Sequence, residues 1–149
     1  MQKRRVVITG LGGICAIGGN INEIWQSMVD CKTGIGPIEA WDMSDFRFRN
    51  GAEIKNYDPS KYFSSKEILT LDKCAQFALI AAKEAIEDAN IEWTEELKQT
   101  SCIITGCSIG GQDTQDEGFH DLYIKHKTSI NPLTIPRIMP NAGASHISM

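Results

Sequence analysis

The hydrophobic and polar positions alternate between two periods along the chain. Val6, Val7 and Ile8 form a continuous β-branched run closed by Thr9-Gly10, which predicts a strand covered on both faces. Asn20 with Glu23 three residues on marks a helix start, and Ile21, Ile24, Trp25, Met28 and Val29 follow at helical spacing, with Gly34 as the stop. Residues 46–54 alternate imperfectly and predict a short strand. Ser64 and Glu67 form a capping box that opens a long helix. Its apolar stripe runs through Ile68, Leu71, Ala75, Ala78, Leu79, Ala82, Ala85, Ile86 and Ala89, and Asn90 caps its end. Residues 102–105 predict a second buried strand, closed by Gly106, and residues 112–127 an amphipathic helix. Pro132, Pro136 and Pro140 make residues 130–140 an extended connection, after which Asn141 opens a helix of small residues. Strand, helix, strand, long helix, strand predicts an α/β fold with a mostly parallel sheet and covering helices. Residues 1–149 read as one domain, incomplete at its end, because the last helical pattern is still running at Met149.

Composition narrows the function. With 149 residues, 42% of them hydrophobic and 23% charged, the chain has the makeup of an ordered globular domain. A net charge of −4 lacks the basic face of a nucleic-acid binder. No apolar run approaches a membrane span. Lys3, Arg4 and Arg5 before residues 6–19 mimic a secretory leader, but five glycines in that stretch suit a strand and turn better. Five cysteines (Cys15, Cys31, Cys74, Cys102, Cys107) with no CxxC pair predict reduced thiols, hence a cytoplasmic setting, and no zinc site.

Two glycine-rich segments invite chemistry. Gly10-Leu11-Gly12-Gly13-Ile14-Cys15 lacks the third glycine of a dinucleotide fingerprint, so its glycines are expected to let the chain pass close to neighbouring elements. Gly106-Cys107-Ser108-Ile109-Gly110 fits the letters of a nucleophile elbow, which offers Ser108 or Cys107 as the nucleophile of a small hydrolase. The structural alternative is a tight loop beside a cavity. His120, His126 and His146 have no metal-ligand spacing.

Four collinear segments resemble the β-ketoacyl-acyl carrier protein synthases, closest to the type II long-chain elongating enzymes. They are Arg4-Arg5-Val6-Val7-Ile8-Thr9-Gly10-Leu11-Gly12, the helix with Leu71-Asp72-Lys73 and Gln76-Phe77-Ala78, the loop Gly106-Cys107-Ser108-Ile109-Gly110-Gly111, and Asn131-Pro132-Leu133-Thr134-Ile135-Pro136 with Met139-Pro140-Asn141-Ala142. The resemblance implies the N-terminal portion of the first half of a thiolase-like fold, in a homodimer partnered by acyl and malonyl carrier protein, with no cofactor. It implies a decarboxylative Claisen condensation, in fatty acid or polyketide-like synthesis. The family's nucleophilic cysteine would follow beyond Met149 and its two histidines later still, so no catalytic residue is expected here and the chain alone should be inactive. A non-catalytic partner subunit of a complete synthase is the other assignment compatible with that absence. Ile109 matches the position that gates the family's acyl channel, with Ser108 beside it. Thr134, next to Leu133, matches a position, often aromatic, that reaches the partner subunit's pocket, and the smaller side chain implies a roomier or more polar pocket end.

Overall fold

A computed structural model describes residues 5–149. Lys3 and Arg4, with which the leader reading and the first of the four segments begin, lie outside the described residues. The chain divides into two compact units, one of residues up to Tyr57 together with Ala81–Ile91, the other of Asp58–Ile80 together with Glu92–Met149.

In the first unit, helix α1 (Ile21–Val29) begins as the sequence predicts, with the Asn20 side chain accepting the Glu23 N–H at 2.9 Å. It ends earlier than Gly34. Cys31, at φ +52°, carries the chain out of the helix, and its N–H donates to the Met28 carbonyl. Gly34 instead lies against Ala16 and Ile17. The strand expected within residues 46–54 is β2 (Asn50–Ala52), antiparallel to β1 (Ile35–Pro37) in the register Ile35 opposite Ala52. The segment after residue 9 runs against the C-terminal half of α3 (Lys73–Ala89). Leu11 N–H donates to Asp88 Oδ2 at 2.8 Å, while the Glu84 carboxylate accepts from Gly13 and Ile21 N–H at 2.9 and 2.8 Å. A Cβ on Gly12 would overlap the Ala81 carbonyl oxygen, so the close passage expected of these glycines is present.

In the second unit the Ser64 capping box forms with both of its hydrogen bonds, but it opens a short helix, α2 (Ser65–Thr70). The long helix predicted from residue 64 is interrupted at Leu71, whose extended backbone (ψ 130°) breaks the helix before α3 restarts it. Asp72 makes the restart possible, since its carboxylate accepts the Cys74 N–H at 2.9 Å. Asn90, at φ +47°, ends α3 as expected. Helix α4 (Glu95–Thr100), absent from the sequence reading, is capped by Thr94, whose hydroxyl accepts the Leu97 N–H at 3.1 Å. Helix α5 (Gln112–Tyr123) stops four residues short of the prediction. The proline-rich connection is not wholly extended: α6 (Thr134–Ile138) contains Pro136 in its first turn, where the missing N–H costs nothing. Helix α7 (Ala142–Ser148) follows. A small core of Leu71, Ala75 and Ala142 is packed by Phe63 and Leu79.

The mostly parallel sheet does not form among the described residues. Residues 6–8 and 102–105 carry strand-like sequence but no ladder, and Val6, Ile8 and Ile104 are 94%, 81% and 89% exposed. A β-branched run becomes a strand only when a neighbour accepts its N–H groups and covers its faces. Neither condition holds for these two segments.

Candidate functional site

Two of the candidate residues, Ser108 and Ile109, sit on the loop of residues 106–111, between the expected second strand and α5. Glycine geometry holds this loop. Gly110 adopts φ +88°, a left-handed conformation that favours glycine, and a Cβ there would overlap the Ile138 carbonyl oxygen. Gly111 N–H donates to that same oxygen at 3.2 Å, which ties the start of α5 to the end of α6. Cys107 Sγ accepts the Gly110 N–H at 3.2 Å.

Beneath the loop lies Asp72, buried to 3% exposure. Its Oδ1 accepts from Cys74 N–H, and its Oδ2 accepts from both the Thr114 N–H at 3.0 Å and the Thr114 hydroxyl at 2.7 Å. One carboxylate therefore satisfies orphan donors at the N-termini of two helices, α3 and α5. Gly111 leaves the room this needs, because a Cβ there would stand 2.8 Å from Asp72 Cγ. Lys73 and Asp113 add an exposed ion pair at 2.8 Å between the same two helices.

Cys74, at the start of α3, faces Cys107 with 3.8 Å between the two sulfurs. Partial burial, and then the hydrogen bond with Cys107, push the Cys74 thiol up to about 11. Among the described residues no hydrogen bond joins Ser108 or Cys107 to a histidine. The activating base of a Ser or Cys hydrolase is therefore not assembled at the elbow-like motif. Nor do the described residues hold a cluster of three or more His, Cys, Asp or Glu able to hold a metal ion.

Of the four lining residues named from the sequence, Ile109 is 59% exposed and Ser108 is exposed beside it. Leu133 stands at the start of α6, its N–H donating to Asn131 Oδ1 at 2.9 Å. Thr134 is buried, with its methyl 4.0 Å from where a Cβ on Gly118 of α5 would sit. Thr134 thus faces the α5–α6 contact, while Ile109 and Ser108 are open to solvent. Nearby, Arg137 Nε is buried with no hydrogen-bond partner among the described residues. The sequence reading missed the double role of Asp72 and the approach of Cys74 to Cys107. The signal for the first was an Asp directly before a helical stripe, masked by the strong capping box eight residues earlier.

The model of the beta-ketoacyl synthase N-terminal domain matches residues 3–149. The chain belongs to that family. Among its relatives, a 3-oxoacyl-[acyl-carrier-protein] synthase 2 from Synechocystis sp. is 33% identical over 144 residues, which is 97% of this chain and 35% of the relative. The chain thus spans about a third of the length of the curated relatives it matches. Among solved structures, the ishigamide ketosynthase/chain length factor superposes with a TM-score of 0.82 at 22% identity, over 98% of this chain and 36% of that one. A type II polyketide acyl-carrier protein in complex with its ketosynthase gives 0.71 at 16% identity, over 99% and 39%. The fold is therefore that of the ketosynthases, with the loop of residues 106–111 inside the matched region. No helix among the described residues is long and apolar enough to cross a membrane.

Proposed function

We propose that this chain is the N-terminal part of a condensing enzyme that elongates acyl chains on acyl carrier protein. The reaction is a decarboxylative Claisen condensation with malonyl-carrier protein, in the cytoplasm, by a homodimer. The observation that carries this reading is the family match along residues 3–149. Carrier protein as partner is supported by the relatives' name and by the carrier-protein complex of one structural neighbour.

On this reading the chain supplies pocket walls and no reacting group. Ile109 gates the acyl channel with Ser108 beside it, and Leu133 with Thr134 bounds the far end. The gate rests on a loop fixed at its C-terminal end by Gly110, Gly111 and, through Thr114, Asp72. Anchoring one end while Ile109 stays exposed suits a side chain that must swing for an incoming acyl group.

The test is turnover by the 149-residue chain given acyl- and malonyl-carrier protein, followed as CO2 release and 3-oxoacyl product. The expected result is none, with no acyl adduct on any of its side chains. Steady turnover overturns the reading, and an acyl adduct mapped to Cys107 or Ser108 with release of free acid instead of 3-oxoacyl product favours the hydrolase alternative. In the complete synthase, Thr134→Phe is expected to shorten the products; unchanged products refute the placement of Thr134 at the pocket end.

A further inference from the structure

Cys74 and Cys107 stand apart from the other cysteines. Cys15, Cys31 and Cys102 are also free, but among the described residues no other pair of cysteines is hydrogen-bonded. The two sulfurs lie 3.8 Å apart although the residues are 33 positions distant in sequence. The segments that carry them are held by one anchor: Asp72 accepts the N–H of Cys74 and, through Thr114, fixes the start of the helix that follows the Cys107 loop. Both residues are exposed, so a small oxidant has access. Neither thiol has a part in the proposed condensation.

We propose that Cys74 and Cys107 form a reversible dithiol–disulfide site whose oxidant is a small hydroperoxide. Cys107 is the attacking group: it is exposed on its loop, and the Gly110 N–H donates to its sulfur and holds it beside Cys74. Its thiolate attacks the distal peroxide oxygen. The O–O bond breaks, water or an alcohol leaves, and Cys107 becomes a sulfenic acid. The Cys74 sulfur then displaces the sulfenic oxygen as water, with the Cys74 proton leaving in that water, and the S–S bond closes. Two thiols have lost two electrons and the hydroperoxide has gained them. Cys74 suits the second role, since a thiol held well above the usual range is a poor first nucleophile. Closing 3.8 Å to a bond of about 2.05 Å asks for side-chain rotation at two exposed positions. The bond would staple the loop that carries Ile109 to the start of α3. A dithiol reductant restores the open state.

The experiment reduces the protein, adds one equivalent of hydrogen peroxide, blocks remaining thiols with N-ethylmaleimide and maps linked peptides by mass spectrometry. The expected result is a Cys74–Cys107 peptide at least tenfold more abundant than any other cysteine pair, and lost after dithiothreitol. In Cys74→Ser, Cys107 should instead accumulate as a sulfenic acid trapped by dimedone. In Cys107→Ser, no dimedone adduct should form at Cys74. Alkylation of both residues after peroxide, or linkage spread evenly over the five cysteines, overturns the proposal. The readout is a mass, so it is independent of whether the condensing activity is found.

Discussion

Asp72 holds the second unit together from a single carboxylate. It is almost wholly buried and accepts three hydrogen bonds from two helices, so its negative charge is held by donors and by two helix N-termini. Asp72→Asn turns one acceptor into an NH2, which must face either the Cys74 N–H or the two Thr114 donors. Hydrogen bonds to a charged group contribute about 1.5–3 kcal/mol, and a buried donor left unmet adds a similar cost. The expected loss is about 2–3 kcal/mol, read from urea unfolding. Thr114→Val removes one donor while the N–H remains, and is expected to cost about 1 kcal/mol. Equal stability of all three proteins would show that the Asp72 carboxylate contributes nothing net.

At the scale of elements, tight backbone contacts and caps separate positions that sequence alone leaves alike. Gly12, two residues past the glycine that closes the first strand-like run, is pressed against another element, whereas Gly106, which closes the second, is not. Gly12→Ala drives a methyl into the Ala81 carbonyl and is expected to cost about 1–3 kcal/mol. Gly106→Ala meets nothing within 4 Å and is expected to stay within about 0.5 kcal/mol of the parent. Comparing the two unfolding midpoints checks the contrast. The α2 cap gives a pH prediction. The Ser64 hydroxyl, and after it the Ser64 N–H, holds the Glu67 carboxyl below its usual range. A depressed folded-state value means that the stabilisation is full above the unfolded value, about 4.3, and is lost as pH falls through the folded value. Asp58 and Asp121 shift the same way, Asp58 through Ser60 and Asp121 through Lys127 and Lys125, so they act in the same direction as Glu67 as pH falls. Glu67→Gln keeps a capping side chain without the titration. Its stability should therefore fall less than the parent's between pH 6 and 3; identical slopes would remove Glu67 from the acid response. Caps of this kind were legible in the sequence because Asn20 with Glu23 and Ser64 with Glu67 use local chemistry at fixed spacing. The break at Leu71 was not, because Asp72 is selected by Thr114, 42 residues away. The Cys74–Cys107 approach was hidden for the same reason, whereas the tight turn of residues 106–111 was legible through its glycines. Pro136 misled because a proline that ends a helix and one in its first turn look the same in sequence.

For the whole molecule, the balance of buried and exposed apolar surface decides behaviour in solution. A 149-residue chain with 42% hydrophobic residues has the material for a substantial core. Among the described residues the buried apolar side chains are Leu71, Ala75, Ile80 and Ala142, while Val6, Ile8, Phe48 and Ile104 are each more than three-quarters exposed. The two runs expected to be buried strands form none among the described residues, where no neighbour covers them. Each such side chain forgoes roughly 1.5–3 kcal/mol available from burial. Open β-branched segments with unpaired N–H groups also template association. The chain spans only about a third of its relatives' length, and on the proposed reading further polypeptide of the synthase covers these segments. The isolated 149-residue chain is therefore expected to bind the dye ANS and to self-associate as its concentration rises, as seen by sedimentation equilibrium. Valine-to-lysine and isoleucine-to-lysine changes at Val6, Ile8 and Ile104 should suppress both signals without lowering stability, since these side chains are already in water. A parent chain that stays monomeric, excludes the dye and unfolds in one cooperative step would show that residues 6–8 and 102–105 are covered within the chain itself. It would remove the reason to seek their neighbours elsewhere in a synthase.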